Sequence, residues 1–360
     1  MKITDVSITY VATPLPRLLT TAIHHIDRVD NILVEITADG LVGSGYAFAF
    51  APHQARAIRS LIHDLTEDLV GEDATRVGIL WERAMLRSNF IGRSGPAAMA
   101  IAAIDTALWD LVAQRAGLPF AKLLGAVREE VQLYATGGWT SYTVEELIEE
   151  AEGLHAKGFT YYKIKIGLPD WRDDVIRTER LMSHMAGRMS VLVDANQAWR
   201  PAEAIAAGRA FQDLGVTWLE EPVDAVDYRG SAEVARALDV PIATGETVFG
   251  LEGFQPLIDQ RAADVLMPDL MRCAGPTGFR RVATVGSAAG LDVSSHLFTE
   301  TSAHLIAATP TGTFAEYLPG WWDGLIESHH TVTDGRLTIA DEPGLGFRFS
   351  EAAKRDHRVD

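Results

Sequence analysis

Apolar and polar residues alternate over residues 3–11, 31–37 and 41–48, the period of two expected of half-buried strands. Asp39 and Gly40 form a two-residue hairpin turn between the second and third runs, so the three predict a meander. The apolar spacing then lengthens, and residues 53–69, 76–86 and 96–116 read as helices, the last closing on Gly117 as a C-cap. Residues 13–30 read as a loop, because Pro14 and Pro16 interrupt the alternation and His24, His25, Asp27 and Arg28 follow. A loop of this length inside a compact domain is a lid, a binding loop or a disordered segment.

From residue 131 the pattern changes to short apolar strands alternating with amphipathic helices. Strands are predicted over 131–136, 161–167, 190–196, 216–222, 241–246, 263–270, 292–296 and 314–318. The helix over 144–156 shows how the intervening stretches work. Thr143 and Glu146 form a capping box, Val144, Leu147, Ile148, Ala151 and Leu154 make one apolar stripe, and Gly158 ends it. Repeated βα units of this number imply an α/β fold with a closed parallel barrel, the alternative being a doubly wound open sheet. No Gly-x-Gly-x-x-Gly follows an early strand to favour the open sheet. The division expected is an α+β unit over 1–127, a barrel over 128–336, and a segment over 337–360 that returns to the first unit.

Composition narrows the partners. The 360 residues are 47% hydrophobic and 22% charged with a net charge of −17, which disfavours nucleic acid and anionic membrane surfaces. The N-terminus alternates as a strand does and shows no signal-peptide pattern. Asp105 and Asp110 interrupt the most apolar segment, 96–112, and make it a buried helix of a soluble protein. The single cysteine, Cys273, excludes an internal disulfide, reads as a small buried residue, and suits a reducing, cytoplasmic compartment.

Lys163 and Lys165 are the polar residues that an apolar strand does not explain. At i and i+2 they share one face, either reaching solvent at the strand end or standing in a polar cavity. The later strands favour the cavity, for Asp194, Glu220, Glu246, Asp269, His296 and Glu316 fall at successive predicted C-terminal ends, the rim where barrels build active sites. Three carboxylates on adjacent strands, Asp194, Glu220 and Glu246, suit a hard divalent cation such as Mg2+. A carboxylate substrate on that cation has its α-proton acidified through an enediolate. Lys165 is the candidate base, with its pKa expected to be lowered by Lys163. His296, on the opposite side of the ring, is the second, oriented by Asp269. The histidines His24, His25, His304, His329 and His330 lack this rim context and read as surface, lid or packing residues.

The stretches Lys163-Ile164-Lys165, Asp194-Ala195-Asn196, Leu219-Glu220-Glu221-Pro222, Thr244-Gly245-Glu246, Met267-Pro268-Asp269 and the run beginning Ser294-Ser295-His296 resemble the enolase superfamily, and within it the mandelate racemase subgroup. The resemblance spans nearly the whole chain. It implies a modified (β/α)7β TIM barrel beneath an N-terminal α+β capping domain with a substrate-covering loop, in a homo-octamer or other homo-oligomer. It also implies metal ligation by Asp194, Glu220 and Glu246, and proton transfer by Lys165 on one face and His296 with Asp269 on the other. Lys163 supports the charge, Glu316 hydrogen-bonds the substrate carboxylate as an acid, and Asn196 contacts substrate. His24 and Arg28 of the covering loop and Thr136 of the first barrel strand are further candidate substrate contacts. The chain departs from mandelate racemase in this polar loop and in lacking a histidine near Thr136-Gly137-Gly138-Trp139.

Two bases on opposite faces admit two outcomes from one enediolate. The reading placed first is racemisation or epimerisation of a 2-hydroxycarboxylate. The alternative is dehydration of an aldonate or aldarate to a 2-keto-3-deoxy acid. A metal-dependent barrel hydrolase is more remote, since it favours histidine metal ligands and leaves the lysine pair without a role.

Overall fold

A computed structural model describes residues 1–359. An antiparallel sheet of β1 (Ile3–Thr20), β2 (His25–Ala38) and β3 (Leu41–Ala49) opens the chain. Four helices follow: α1 (Pro52–Thr66), α2 (Val77–Arg87), α3 (Pro96–Ala116) and α4 (Phe120–Leu123). The helix α3 is long and apolar enough to cross a membrane by length and composition, but most of it is buried inside the protein. It packs on β3, where Gly43 and Gly45 lie against the α3 backbone at Ala107 and Ala103, so that a side chain at either would collide with it.

The expected loop over 13–30 is instead the outer half of a long β1–β2 hairpin, with only residues 21–24 outside the strands. Pro14 and Pro16 misled the reading. They fall where the strand register shifts between Pro14 and Leu19, and an irregular stretch of pairing tolerates residues that have no N–H to donate. Strand pairing therefore resumes from Leu19–Ile26 to the tip.

The second half alternates strictly: β4 (Glu130–Gly137), α5 (Val144–Ala156), β5 (Tyr161–Lys165), α6 (Trp171–Met185), β6 (Ser190–Asp194), α7 (Pro201–Leu214), β7 (Leu219–Glu220) and α8 (Tyr228–Ala237). Then come β8 (Ile242–Thr244), α9 (Gly250–Asp259), β9 (Val265–Leu266), α10 (Pro276–Ala288), β10 (Asp292–Val293), α11 (Thr299–Ala307) and β11 (Phe314–Tyr317). The predicted capping box is present on α5, with Thr143 and Glu146 bonded reciprocally. Strands β4 to β10 pair in parallel in chain order, and β11 pairs with β4. Backbone bonds from Val293 to Thr311, Thr313 to Val293 and Ser295 to Phe314 join β10 to β11 and complete the ring. The later strands are shorter than expected, only Leu219–Glu220 being regular within 216–222, because each chain leaves the ladder early to build the rim.

Inside the ring Tyr134, Leu192, Trp218, Ala243, Val265 and Met267 form a separate apolar plug. It fills the floor, and the polar side chains are left for the strand ends above. After β11 the chain returns to the first sheet: Lys354 pairs with Glu35 at 2.9 Å and Val359 N–H bonds the Tyr10 carbonyl.

Candidate active site

Strand periodicity places Lys163 and Lys165 side by side, as the sequence predicts, and both point inward and are buried. Lys163 Nζ lies 2.6 Å from Glu220 Oε1, 3.0 Å from Glu316 Oε1 and 3.9 Å from Asp194 Oδ2, over the ring of Tyr134. Burial works against its charge, but Glu220 and Glu316 outweigh that and hold its pKa well above the usual value. Lys165 Nζ bonds Asp194 Oδ2. Its pKa was expected to fall, and it rises instead. Burial lowers it most and Lys163 repels it, yet Asp194, Glu246 and Glu220 together outweigh both. The expectation counted the lysine neighbour and missed the carboxylate paired with it across the ladder at Lys165–Asp194.

Adjacent strands bring Asp194, Glu220 and Glu246 together, with one oxygen of each within 4.8 Å of the others. All three are buried. Burial pushes the Glu220 carboxyl up, and its neighbours Asp194 and Glu246 add to this against Lys163. Glu246 Oε2 is buried without a hydrogen bond. A crowded all-oxygen set with an unbonded oxygen fits a divalent cation of the Mg2+ type, which would relieve the repulsion. The Asn196 amide donates to Asp194 and Glu246 at 3.1 and 3.3 Å, so it steadies the triad as well as facing the cavity.

His296 stands at the other side of the rim, just beyond β10. Its Nδ1 lies 2.7 Å from Asp269 Oδ2 and its Nε2 3.3 Å from Glu246 Oε2. Burial lowers its pKa, but Glu246 and Asp269 more than offset this and hold it above the ordinary histidine value. Glu316 accepts hydrogen bonds from Thr136 Oγ1 at 2.5 Å and the Leu297 N–H at 2.8 Å. Burial raises its pKa, but Lys163 and then His296 bring it down to about 2. In this arrangement it is a carboxylate and not the acid that the family resemblance implies. Asn196, Glu221 and Leu297, which follow β6, β7 and β10, have φ of 41°, 38° and 50°. Such backbone strain concentrates where a site dictates the chain path.

A cavity of about 640 Å³ lies above these groups. Lys165, Asn196, Glu246, His296, Glu316 and Thr136 line its floor, and Thr21, His24, His25, His53 and Gln54 come from the first half of the chain. The hairpin is fastened over it: Thr140 N–H bonds the Thr20 carbonyl at 3.0 Å and Arg17 pairs with Glu146 at 2.8 Å. Of the predicted substrate contacts, His24, Thr136 and Asn196 reach the cavity. Arg28 does not, because its guanidinium forks onto Asp30, which also takes the Tyr10 hydroxyl. Cys273 is buried and does not line this cavity, and burial pushes its thiol well up.

Sequence reasoning missed Arg272, His53, Gln54 and the stacked pair Trp139–Trp321, whose rings lie 11° apart at 5.9 Å. Arg272 and Trp139 follow barrel strands closely enough for the rim logic to have found them. His53 and Gln54 begin α1, and nothing in their local pattern says that they face a barrel mouth. Glu221 was also passed over. It bonds the Gly245 N–H at 3.1 Å and Thr244 and Thr247 at 3.2 Å, tying the β7 end to the β8 end that carries Glu246.

Comparison with known proteins agrees with this geometry. Residues 3–125 match the family described as mandelate racemase / muconate lactonizing enzyme, N-terminal domain, and residues 146–353 match the enolase C-terminal domain-like family. The chain is 34% identical to L-talarate/galactarate dehydratase of Salmonella typhimurium over 96% of its own length and 87% of the relative's. It is 31% identical to L-Lys-D/L-Arg epimerase of Methylococcus capsulatus, covering 98% of this chain and 100% of that one. The crystal structure of the Salmonella dehydratase with Mg and L-lyxarohydroxamate superposes with a TM-score of 0.95 at 32% identity, over 100% of this chain and 93% of the other. The chain belongs to the enolase superfamily, in its mandelate racemase subgroup.

Proposed function

We propose that this enolase-superfamily enzyme removes the α-proton of a hydroxylated sugar acid and expels the β-hydroxyl as water, giving a 2-keto-3-deoxy acid. The observation that carries this reading is an imidazole facing a lysine across the cavity: His296, fixed by Asp269, opposite Lys165. The resemblance to a Mg-liganded sugar-acid dehydratase supports it.

Mg2+ held by Asp194, Glu220 and Glu246 would supply the positive charge that steadies the substrate carboxylate, acidifies the α-proton and draws Lys165 off Asp194 towards its neutral form. Neutral Lys165 accepts the α-proton at Nζ. Lys163, committed to Glu220 and Glu316, keeps its own proton and its charge. His296 gives the Nε2 proton to the departing β-hydroxyl, which leaves as water, while Asp269 holds Nδ1 and the ring orientation. The hydroxyl of Thr136, the Asn196 amide, His24, His53 and Gln54 present hydrogen-bonding atoms to a polyhydroxylated chain.

A second reading is racemisation or epimerisation of a 2-hydroxy acid. The Trp139–Trp321 stack gives the cavity an apolar wall, and bases on both sides of one carbon suit inversion. Incubating the Mg2+-loaded enzyme with aldonic, aldaric and aromatic 2-hydroxy acids separates the two. Dehydration predicts a 2-keto-3-deoxy product from a sugar acid. Inverted acid with no keto product would replace that reading with racemisation.

A homo-oligomer belongs to the same proposal. Phe90 and Ile91, on the turn after α2, are 99% and 64% exposed, and a partner subunit would cover them. Light scattering coupled to gel filtration tests this, and a monomer at all concentrations would refute it.

A further inference from the structure

Arg272 follows β9 on the same turn as Asp269 and lines the cavity. Among the described residues its guanidinium donates no hydrogen bond, and its one ion pair is a long contact of 3.4 Å to Asp269 Oδ2. That oxygen already bonds His296 Nδ1 at 2.7 Å, and Arg272 Nη1, the nitrogen of that ion pair, is buried without a hydrogen bond. Arg177, buried where Arg272 is half-buried, shows what a structural arginine does here: it donates to the carbonyls of Lys165 and Trp139 at 3.0 Å each. Arg272 has no such use.

Beyond Asp269, the lining offers no uncommitted acid to meet it among the described residues. Glu246 and Glu316 are the two acids that line the cavity. Glu246 belongs to the triad, and Glu316 is taken by Lys163, Thr136 and the Leu297 N–H. Thr21, His24, His25, His53 and Gln54 are the polar residues that the first half of the chain adds to the wall, beside apolar ones such as Phe50, and none of them is an anion. A planar guanidinium with unused N–H groups is shaped for the two oxygens of a carboxylate.

We propose that Arg272 anchors a second carboxylate at the far end of the substrate, so that the sugar acid is a diacid. The inference rests on the sugar-acid reading above. A monoacid ending in a hydroxymethyl group leaves the arginine's N–H groups without an acceptor, which is how a polar site rejects a near-isostere.

The test uses Mg2+-loaded enzyme and matched six-carbon pairs, each an aldarate and the aldonate that differs from it only at the terminal carbon. The wild type is expected to favour the diacid by about 100-fold in kcat/KM. Arg272→Met should bring the ratio to within about threefold, and Arg272→Lys, which keeps the charge without the fork, should fall between. Because both members of a pair share the same chemistry, damage to the neighbouring His296–Asp269 pair cancels in the ratio. Equal losses for both acids in Arg272→Met, or a wild-type preference for the monoacid, would overturn the proposal. If no acid of either series is dehydrated, the function reading fails separately, and calorimetry on Mg2+-loaded Lys165→Ala protein still decides the anchor. Tighter binding of the diacid that disappears in Lys165→Ala/Arg272→Met upholds it, and equal binding of both acids refutes it.

Discussion

His296 Nδ1 lies 2.7 Å from Asp269 Oδ2 while its Nε2 stands 3.3 Å from Glu246 Oε2. One imidazole thus joins the orienting carboxylate to the triad, with a single nitrogen turned towards the cavity's reacting side. Replacing Asp269 by Asn removes the charge and leaves a partner that can favour the wrong tautomer. Turnover should fall by about 10²–10⁴-fold. The Lys165 side should still exchange the α-proton with solvent, which proton NMR in deuterated water reads directly.

Lys163 balances more than one acid. It is fully buried between Glu220 and Glu316, with Asp194 further off. Lys163→Met leaves those carboxylates buried without their cation and should cost about 3–5 kcal/mol of stability. Urea unfolding in the presence of a chelator checks this, and a loss below about 1 kcal/mol would mean that the lysine is dispensable to the fold.

The hairpin tip is held to the barrel by Thr20 and Thr140, whose hydroxyls lie 2.8 Å apart and whose backbones bond at 3.0 Å. Thr140→Val removes the hydroxyl contacts and keeps the backbone bond. At about 1 kcal/mol for a hydrogen bond, KM should rise about fivefold with kcat little changed, as steady-state kinetics would show. A fall in kcat at constant KM would place the tip in the chemistry and not in substrate retention.

Most of the barrel and its rim was legible because each inference used a local rule. Lys163 and Lys165 share a face by strand periodicity, the acids recur one βα unit apart, and Thr143 and Glu146 cap a helix by their spacing. The errors arose where a distant residue decides the outcome. Pro14 and Pro16 looked like loop residues because no local rule reveals that the opposite strand tolerates a register shift there. Lys165 was assigned a lowered pKa because its sequence neighbour was visible and its spatial partner Asp194 was not. Arg28 is the exception, since Asp30, two residues on and on the same strand face, takes its guanidinium, and the strand there was hidden by the two prolines.

His304, a surface, lid or packing residue by its sequence context, accepts the Ala121 N–H at Nδ1 at 2.9 Å and donates from Nε2 to the Leu345 carbonyl at 3.1 Å. Burial and then His330 push its pKa down from 6.5 to about 3. The unfolded chain therefore binds a proton below about pH 6.5 that the native protein refuses until about pH 3. This contribution is complete above that range and is lost, by about 1.4 kcal/mol per pH unit, as pH falls through it. Asp110, which burial pushes up to about 6, has the opposite slope. His304→Gln should be less stable than wild type at pH 7 but lose less between pH 7 and pH 5 in urea titrations. Parallel losses in the two proteins would exclude His304 as the source.

The central claim is that Lys165 takes the α-proton and that His296, across the cavity, protonates the departing β-hydroxyl. It is tested most directly by following α-proton exchange and 2-keto-3-deoxy product together in deuterated water with Mg2+-loaded wild type, Lys165→Ala and His296→Asn, using a sugar acid that the wild type dehydrates. Lys165→Ala should lose exchange and product alike by at least about 10³-fold, while His296→Asn should lose product and keep exchange. Exchange lost in His296→Asn and kept in Lys165→Ala would contradict the account.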